Sequence, residues 1–432
     1  MNFKRISILL AASAVVFTGC ISGRGVGPGT LKLVGSVLSD TTSAVFKASP
    51  DVNRDFTNGA IAVIGSSSDA LAITEGLLTC DSRNNISGAA QSDGLPDFSG
   101  ETVSLLIDEA NAPYQDYLSL GNEMFLRELN VRNFLWAVDT VVLRSPFDGP
   151  EGIFKQRAKI VVLASSFASA YGYKDVDTLC RAANVSLPVF APVQSMTEYA
   201  YAHHEGIQNI AIWTTDRIKD AGVYARCMPE EFSARNDGAS TYEVFCPAVD
   251  TLPSDGLSLW GEPAGNELKS RLLDLFDSYI ASGKTSRLTS LFLDDETVSY
   301  EALLSIVEDI KRTDEDNMLV YRNILSPDFR VITPGLAIAE QCYDYLRKYN
   351  QFTHRIAYPD MKAYLTVPSA NLLENDYALD GSLSYAFKYS REEGGEGSGH
   401  YTFVSMRDRY VSDSLLEYMS KCFPKTFSLY VR

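Results

Sequence analysis

Seven short apolar runs between residues 60 and 350 constrain this chain most, because each leads into a small-residue loop and most continue into a helical pattern. They sit in GAIAVIGSSSDALAITEGLL, ETVSLLIDEANAPYQDY, RAKIVVLASSFASAYGYKDVDTLCRAAN, LPVFAPVQSMTEYAYAHH, IQNIAIWTTDRIKDAGVYARCM, TSLFLDDETVSYEALLSIVEDIKR and DFRVITPGLAIAEQCYDYLRKY. The runs are continuous, as a parallel strand covered on both faces requires, and not the alternating pattern of a half-exposed strand. Strands separated by helices imply βαβ connections, so the expected fold is α/β with doubly wound parallel sheets. Such sheets bind ligands beyond the carboxyl ends of their strands. The loops to examine are therefore 65–70, 108–115, 165–169, 192–197, 214–219 and 294–298.

Residues 1–20, MNFKRISILLAASAVVFTGC, open with Lys4 and Arg5, continue through an apolar stretch to Phe17 and close on Thr18-Gly19-Cys20. The apolar stretch is too short to span a bilayer and reads as a secretory signal. Its ending resembles a bacterial lipobox, which implies Cys20 as the lipidated first residue of the mature chain. Acyl chains would then hold the protein to a membrane of the bacterial cell envelope, facing the periplasm. Residues 21–55, rich in Gly, Ser and Thr, are expected to be a flexible linker. The formal net charge of −17 over 432 residues excludes a phosphate-clamping basic surface, so no nucleic-acid partner is expected.

Six further cysteines, Cys80, Cys180, Cys227, Cys246, Cys342 and Cys422, are widely spaced and form no CxxC, so no zinc or other metal site is expected. Each is a small buried residue or half of a disulfide that spacing alone does not identify. No motif asks for a cofactor. His203 and His204 end a helical pattern, where imidazole complements the dipole. Beyond residue 350 the strand–helix alternation lapses. MKAYLTV, SLSYAFKYS and HYTFVSM read as antiparallel strands, and SDSLLEYMSKCF as a closing helix, giving an additional C-terminal α+β segment.

In chain order, eight segments resemble the aspartate/glutamate racemase superfamily, glutamate racemase above all. They are IAVIGSSSDALAI, LIDEANAPYQ, VVLASSFASA, LPVFAPVQ, IAIWTTDRIKDAGVY, VFCPAV, TSLFLDDET and VITPGLAIAEQ. The resemblance covers roughly residues 58 to 350 and implies a two-lobed body. The first lobe would comprise residues 56–192 with 312–350, the second 193–311, and residues 351–432 would pack on the first. It also implies family chemistry, which moves the α-proton of an amino acid between two cysteines, one from each lobe.

This chain departs from that pattern where the chemistry lies. Ser165 stands at the first cysteine position, followed by Ser166 and Phe167. Asp295 stands at the second, followed by Glu296 and Thr297. Gly65 replaces an early aspartate, while Ser66 is kept. The implied protein is a pseudoenzyme that binds a small amino acid, carboxylate or cell-wall-derived ligand between its lobes. Ser66, Asp108, Pro113, Tyr114, Ser165, Ser166, Ser169, Thr215 and Glu296 are the candidate ligand-binding residues, for short hydroxyls and amides at helix N-termini hold carboxylates and Asp108 suits an ammonium group. Every Ser, Thr and Asp among them also suits helix capping. Two alternatives stand beside this reading. One is an active isomerase or lyase using Asp295 and Ser165. The other is a structural envelope protein whose cleft is filled by Phe167 and Trp213.

Overall fold

The computed structural model describes residues 30–48, 56–149, 151–234, 242–246, 264–355, 357–395 and 400–431. The signal peptide, Cys20 and the linker up to residue 29 lie outside the described residues, and so does Pro247.

Twelve strands occur among the described residues: β1 (Ala60–Gly65), β2 (Thr102–Ile107), β3 (Val141–Val142), β4 (Ile153–Phe154), β5 (Ala158–Leu163), β6 (Val189–Phe190), β7 (Gln208–Thr214), β8 (Tyr242–Phe245), β9 (Leu288–Asp294), β10 (Leu325–Ile332), β11 (Asp360–Pro368) and β12 (Tyr401–Ser405). They form two main sheets. A six-stranded one runs in the order β12-β11-β2-β1-β5-β6, a four-stranded one in the order β10-β9-β7-β8, and β3 with β4 makes a separate hairpin. Every pairing in the main sheets is parallel except β11 with β12. All residues of β1, β2, β5, β7 and β9 are buried, which is why these strands read as unbroken apolar runs. The chain is thus a mixed α/β protein with two parallel-dominated sheets.

Three expectations need correction. Residues 32–39 and 44–47, expected within a flexible linker, are helices. Leu31, Val34, Val37 and Val45 bury themselves in the apolar cluster of the first lobe, and that burial offsets the cost of ordering the segment. The segment SLSYAFKYS contains a helix, Tyr385–Ser390, not a strand. Tyr385 and Tyr389, four residues apart, meet with tilted rings and centroids at 4.7 Å, the contact that helical spacing provides. Finally, β10 falls within residues 312–350, which were placed with the first lobe, yet it pairs with β9 in the second sheet. The helix that follows it, Pro334–Lys348, packs on helix Ser67–Thr79 and on helix Pro192–His203, so it bridges the lobes.

The C-terminal segment is built into the first sheet. β11 adds to the β2 edge in parallel, and β12 closes the sheet antiparallel to it. Helix Asp413–Cys422 matches the closing helix read from the sequence. Side chains of both lobes, among them Tyr114, Leu129, Phe167, Met196, Ile212 and Phe292, share one apolar cluster.

One buried ion pair braces the amino-terminal edge of the first sheet. Lys159 Nζ lies 2.7 Å from Glu101 Oε2, with both side chains excluded from water. The lysine also donates to Gln351 O, and Thr353 N donates to Glu101 Oε1. Removing one partner strands the other charge. Glu101→Gln should therefore lower unfolding free energy by roughly 3–5 kcal/mol in urea titrations, whereas the apolar pair Glu101→Leu with Lys159→Met should cost much less. A loss below about 1 kcal/mol for the single variant would contradict this account.

Candidate functional site

The carboxyl ends of β1, β5, β7 and β9 converge as the sequence requires. Register places Gly65 beside Ile107, and Thr214 beside Asp294, so the following loops emerge at matching levels. Helix Ser67–Thr79 starts from β1 and helix Ser166–Ala170 from β5. Between helix Ser67–Thr79 and the loop after β9 opens a cavity of about 550 Å³. Its wall takes Asp69, Glu75 and Cys80 from the first lobe, Asp294, Asp295, Glu296 and Glu301 from the second, and Thr333 to Leu336 from the bridging helix. Cys422 and Phe423 of the C-terminal segment complete it. Six carboxylates line this cavity and no Lys or Arg does.

Two of these carboxylates are held by hydroxyls. Ser166 Oγ donates to Asp294 Oδ1 at 2.9 Å and Tyr224 OH donates to Asp294 Oδ2 at 2.7 Å. Ser66 Oγ donates to Asp69 Oδ2 at 2.8 Å. Burial nevertheless raises the pKa of Asp69 to about 8, helped by the negative charges of Glu296 and Asp294 and opposed by the Ser66 and Ser165 hydroxyls. Asp294 is raised to about 6, again by burial first; its bonds from Tyr224 and Ser166 oppose the shift, and Glu296 and Asp295 add to it. Glu296 is raised by burial and by Asp295, while Ser68 and Arg217 act the other way. Asp69 and Glu296 keep partial solvent contact, which is what residues lining an open cavity should show. At neutral pH the cluster thus holds both protonated and ionised carboxyls.

The expected site residues divide into three groups. Ser66, Ser166 and Glu296 are at the acid cluster. Ser165 lies behind it, only 1% exposed. Its hydroxyl bears on Asp69 but makes no hydrogen bond of ordinary geometry. Asp295 lines the cavity yet gives Oδ1 to the amide and hydroxyl of Thr297, so no contact couples it to Ser165. Asp108, Pro113 and Tyr114 form a different centre. Asp108 is fully buried and accepts from Asn111, Tyr114 OH, Asn133 and Thr366, which leaves it no capacity for a ligand ammonium. The carbonyl of Pro113 accepts from Tyr389 OH. Ser169 Oγ accepts from Val193 N at 3.2 Å in the first turn of helix Pro192–His203, whereas Thr215 occupies the N-cap position of helix Asp216–Asp220 without a side-chain capping bond.

Phe167 does fill space between the lobes, whereas Trp213 belongs to another cluster, with Leu272, Phe276 and Leu293. His203 and His204 pair with Glu340 and Asp328 at a helix end, away from the cavity. Sequence reasoning missed Asp69, Glu75, Glu301 and the thiols Cys80 and Cys422. Asp69 falls in a helix's first turn, where an acid ordinarily complements the dipole. Glu75 caps helix Pro424–Tyr430, accepting from Lys425 N, Thr426 N and Thr426 Oγ1. Cys80 and Cys422 line the same cavity although 342 positions separate them in the chain, so no local pattern marks them. Burial pushes the Cys80 thiol up to about 11 and raises Cys422 as well, leaving neither thiol ionised at neutral pH. Gly65 is also informative. A Cβ there would meet Ala164 Cβ at 3.1 Å, tighter than ordinary contact, so the position tolerates no side chain without displacement. All six cysteines of the described residues are free, and no group of three His, Cys, Asp or Glu side chains among those residues is arranged to hold a metal.

No family model and no curated protein matches the chain. Among solved structures it is similar to glutamate racemase from Francisella tularensis in complex with D-glutamate, at 15% identity and a TM-score of 0.41, over 75% of this chain and 91% of that one. It is similar to glutamate racemase from Thermus thermophilus in complex with β-chloro-D-alanine, at 16% identity and a TM-score of 0.39, over 72% and 88%. A putative Asp/Glu racemase from Yersinia pestis shows 13% identity and a TM-score of 0.37, over 66% and 98%. No residue role is transferred from these proteins.

The raised carboxyls fix a pH dependence. A carboxyl whose folded pKa exceeds its unfolded value near 4 favours the fold fully below that value, and the advantage is lost as pH climbs through the folded pKa. For this cluster the loss runs from about pH 4 to the values near 6 and 8 held by Asp294 and Asp69. Asp69→Asn should therefore stabilise the fold markedly more at pH 8 than at pH 4.5 in chemical denaturation. Equal effects at both pH values would show that Asp69 ionises as an ordinary surface carboxylate.

Proposed function

We propose that this chain is a lipid-anchored protein of the bacterial cell envelope whose racemase-like body binds a small amine-bearing ligand without turning it over. The observation that carries the proposal is the wall of the interlobe cavity, six carboxylates and no cationic side chain. A dicarboxylate such as glutamate would meet like charge there. A basic amino acid, a diamine or a cell-wall fragment with a free amino group would meet opposite charge in a site that excludes much of the solvent. The expectation of a carboxylate ligand is thus narrowed to its amino end.

The non-catalytic part rests on three features. Ser165 carries a hydroxyl where a thiol would be needed; it bears on Asp69, a carboxyl whose pKa burial raises, and a hydroxyl without an ionised base is too weak to take an α-proton. Asp295 accepts from the Thr297 amide and hydroxyl through Oδ1, which orients it to its own loop and not to Ser165. The nearby thiols are held protonated. Anchoring follows from the signal sequence and Cys20.

A second reading, an active isomerase or lyase, draws on one observation. Asp69 and Asp294 come from opposite lobes and titrate on either side of neutrality, so one could donate and the other accept a proton. This pair replaces the Ser165–Asp295 pair read from the sequence.

A thermal-shift series on the wild-type body tests the ligand class. Lysine and 1,4-diaminobutane should raise the midpoint, by an amount equivalent to about 2.7 kcal/mol at 100 times the dissociation constant. Glutamate and succinate should not, and Glu296→Gln should weaken the response to the amines. A midpoint raised by dicarboxylates and unmoved by amines would sink the proposal.

A further inference from the structure

The hairpin of β3 and β4 exposes three large apolar side chains. Val141 and Phe154 are direct cross-strand partners, so both side chains project from one face of the ribbon. They are 42% and 77% exposed, and Phe147 between the strands is 80% exposed. Isolated apolar side chains are common on protein surfaces, but three on one short hairpin form a patch that invites a partner.

The way the chain enters the body indicates which partner. Lys32 N donates to Glu393 Oε1, and the neighbouring Gly394 N donates to Glu128 of helix Glu123–Val138. At the other end of that helix, Lys155 Nζ, next to β4, donates to Ala137 O at 3.2 Å. Glu128 and Ala137 are nine residues apart, about 14 Å along the helix axis. Residues 21–29 separate Cys20 from Thr30, a span that reaches at most about 35 Å. A body tethered through Cys20 would thus be confined within that distance of the bilayer, and confinement raises the effective concentration of a weak apolar contact.

We propose that the 141–154 hairpin is a second membrane contact, inserting Phe147 and Phe154 beside Val141 into the interfacial region of the bilayer. The proposal rests on anchoring through Cys20. Asp148 and Glu151 share the hairpin, so the matching surface is one of zwitterionic headgroups, not strongly anionic ones. Contact at two points would hold the first lobe against the membrane.

Hydrogen exchange of the full chain, purified from membranes and reconstituted in phosphatidylethanolamine–phosphatidylcholine vesicles, tests this, with intact mass reporting acylation of Cys20. The same protein in detergent-free solution as the Cys20→Ser variant gives the reference. Amides of 141–154 should exchange at least tenfold more slowly on vesicles, and Phe147→Ser with Phe154→Ser should abolish the slowing without moving the melting temperature, since both positions are exposed. An acylated, vesicle-bound protein with unchanged exchange in the hairpin would overturn the contact while leaving the anchor intact. Slowing that scales with protein density on the vesicle would assign the patch to a second copy and overturn it as well. Absence of acyl mass on Cys20 would overturn the anchor and the contact together.

Discussion

A carboxylate taken out of water must be neutralised, either by donors or by a proton, and this protein does each in a different place. Asp108 represents the first solution. Four side-chain donors surround it, one of them Thr366 of β11, and Ala110 N donates to the same threonine. The loop after β2, helix Glu123–Val138 and the C-terminal segment are thereby fixed to one another through a single buried group. Arg391 extends the network, donating to Asn111 and Tyr117 and lying 4.8 Å from the ring centroid of Phe125. The C-terminal segment is for this reason part of the first lobe and no appendage to it.

The second solution is the acid cluster. Asp69, Asp294 and Glu296 have too few donors to offset the loss of water, so burial raises their pKa values above the ordinary carboxylate range. A fold built for stability alone would have no use for such carboxyls facing a cavity. An amine would stabilise their ionised forms and relieve the repulsion between them. That links the stability of the cluster to its occupancy, and ties the pH dependence of folding to the ligand class proposed for the site.

The sheets were legible in the sequence because burial on both faces leaves an unbroken apolar run, as in Ala60–Gly65 and Leu288–Asp294. What escaped notice was long-range. β10 joins the second sheet by pairing with β9, a choice that its composition does not express. The tyrosines of Tyr385–Ser390 suit a strand until their fourth-residue spacing finds Tyr117 to pack on. Within the site, the structure divides the residues of these loops between two centres. Ser166 and Glu296 stand at the acid cluster, whereas Asp108 and Tyr114 satisfy each other. Asp69 looked like a helix-start acid, and its role appears only when the second lobe brings Asp294 and Glu296 to face it.

The proposal that this chain holds a ligand without moving its α-proton is probed most directly by solvent isotope exchange. The purified protein would be incubated in D2O with a panel of D- and L-amino acids, basic ones included, and the α-proton followed by NMR. No loss of the α-proton signal beyond the protein-free control is predicted for any member. Exchange at the α-carbon, abolished by Asp69→Asn or Asp294→Asn, would contradict the account and establish the two carboxyls as an acid–base pair.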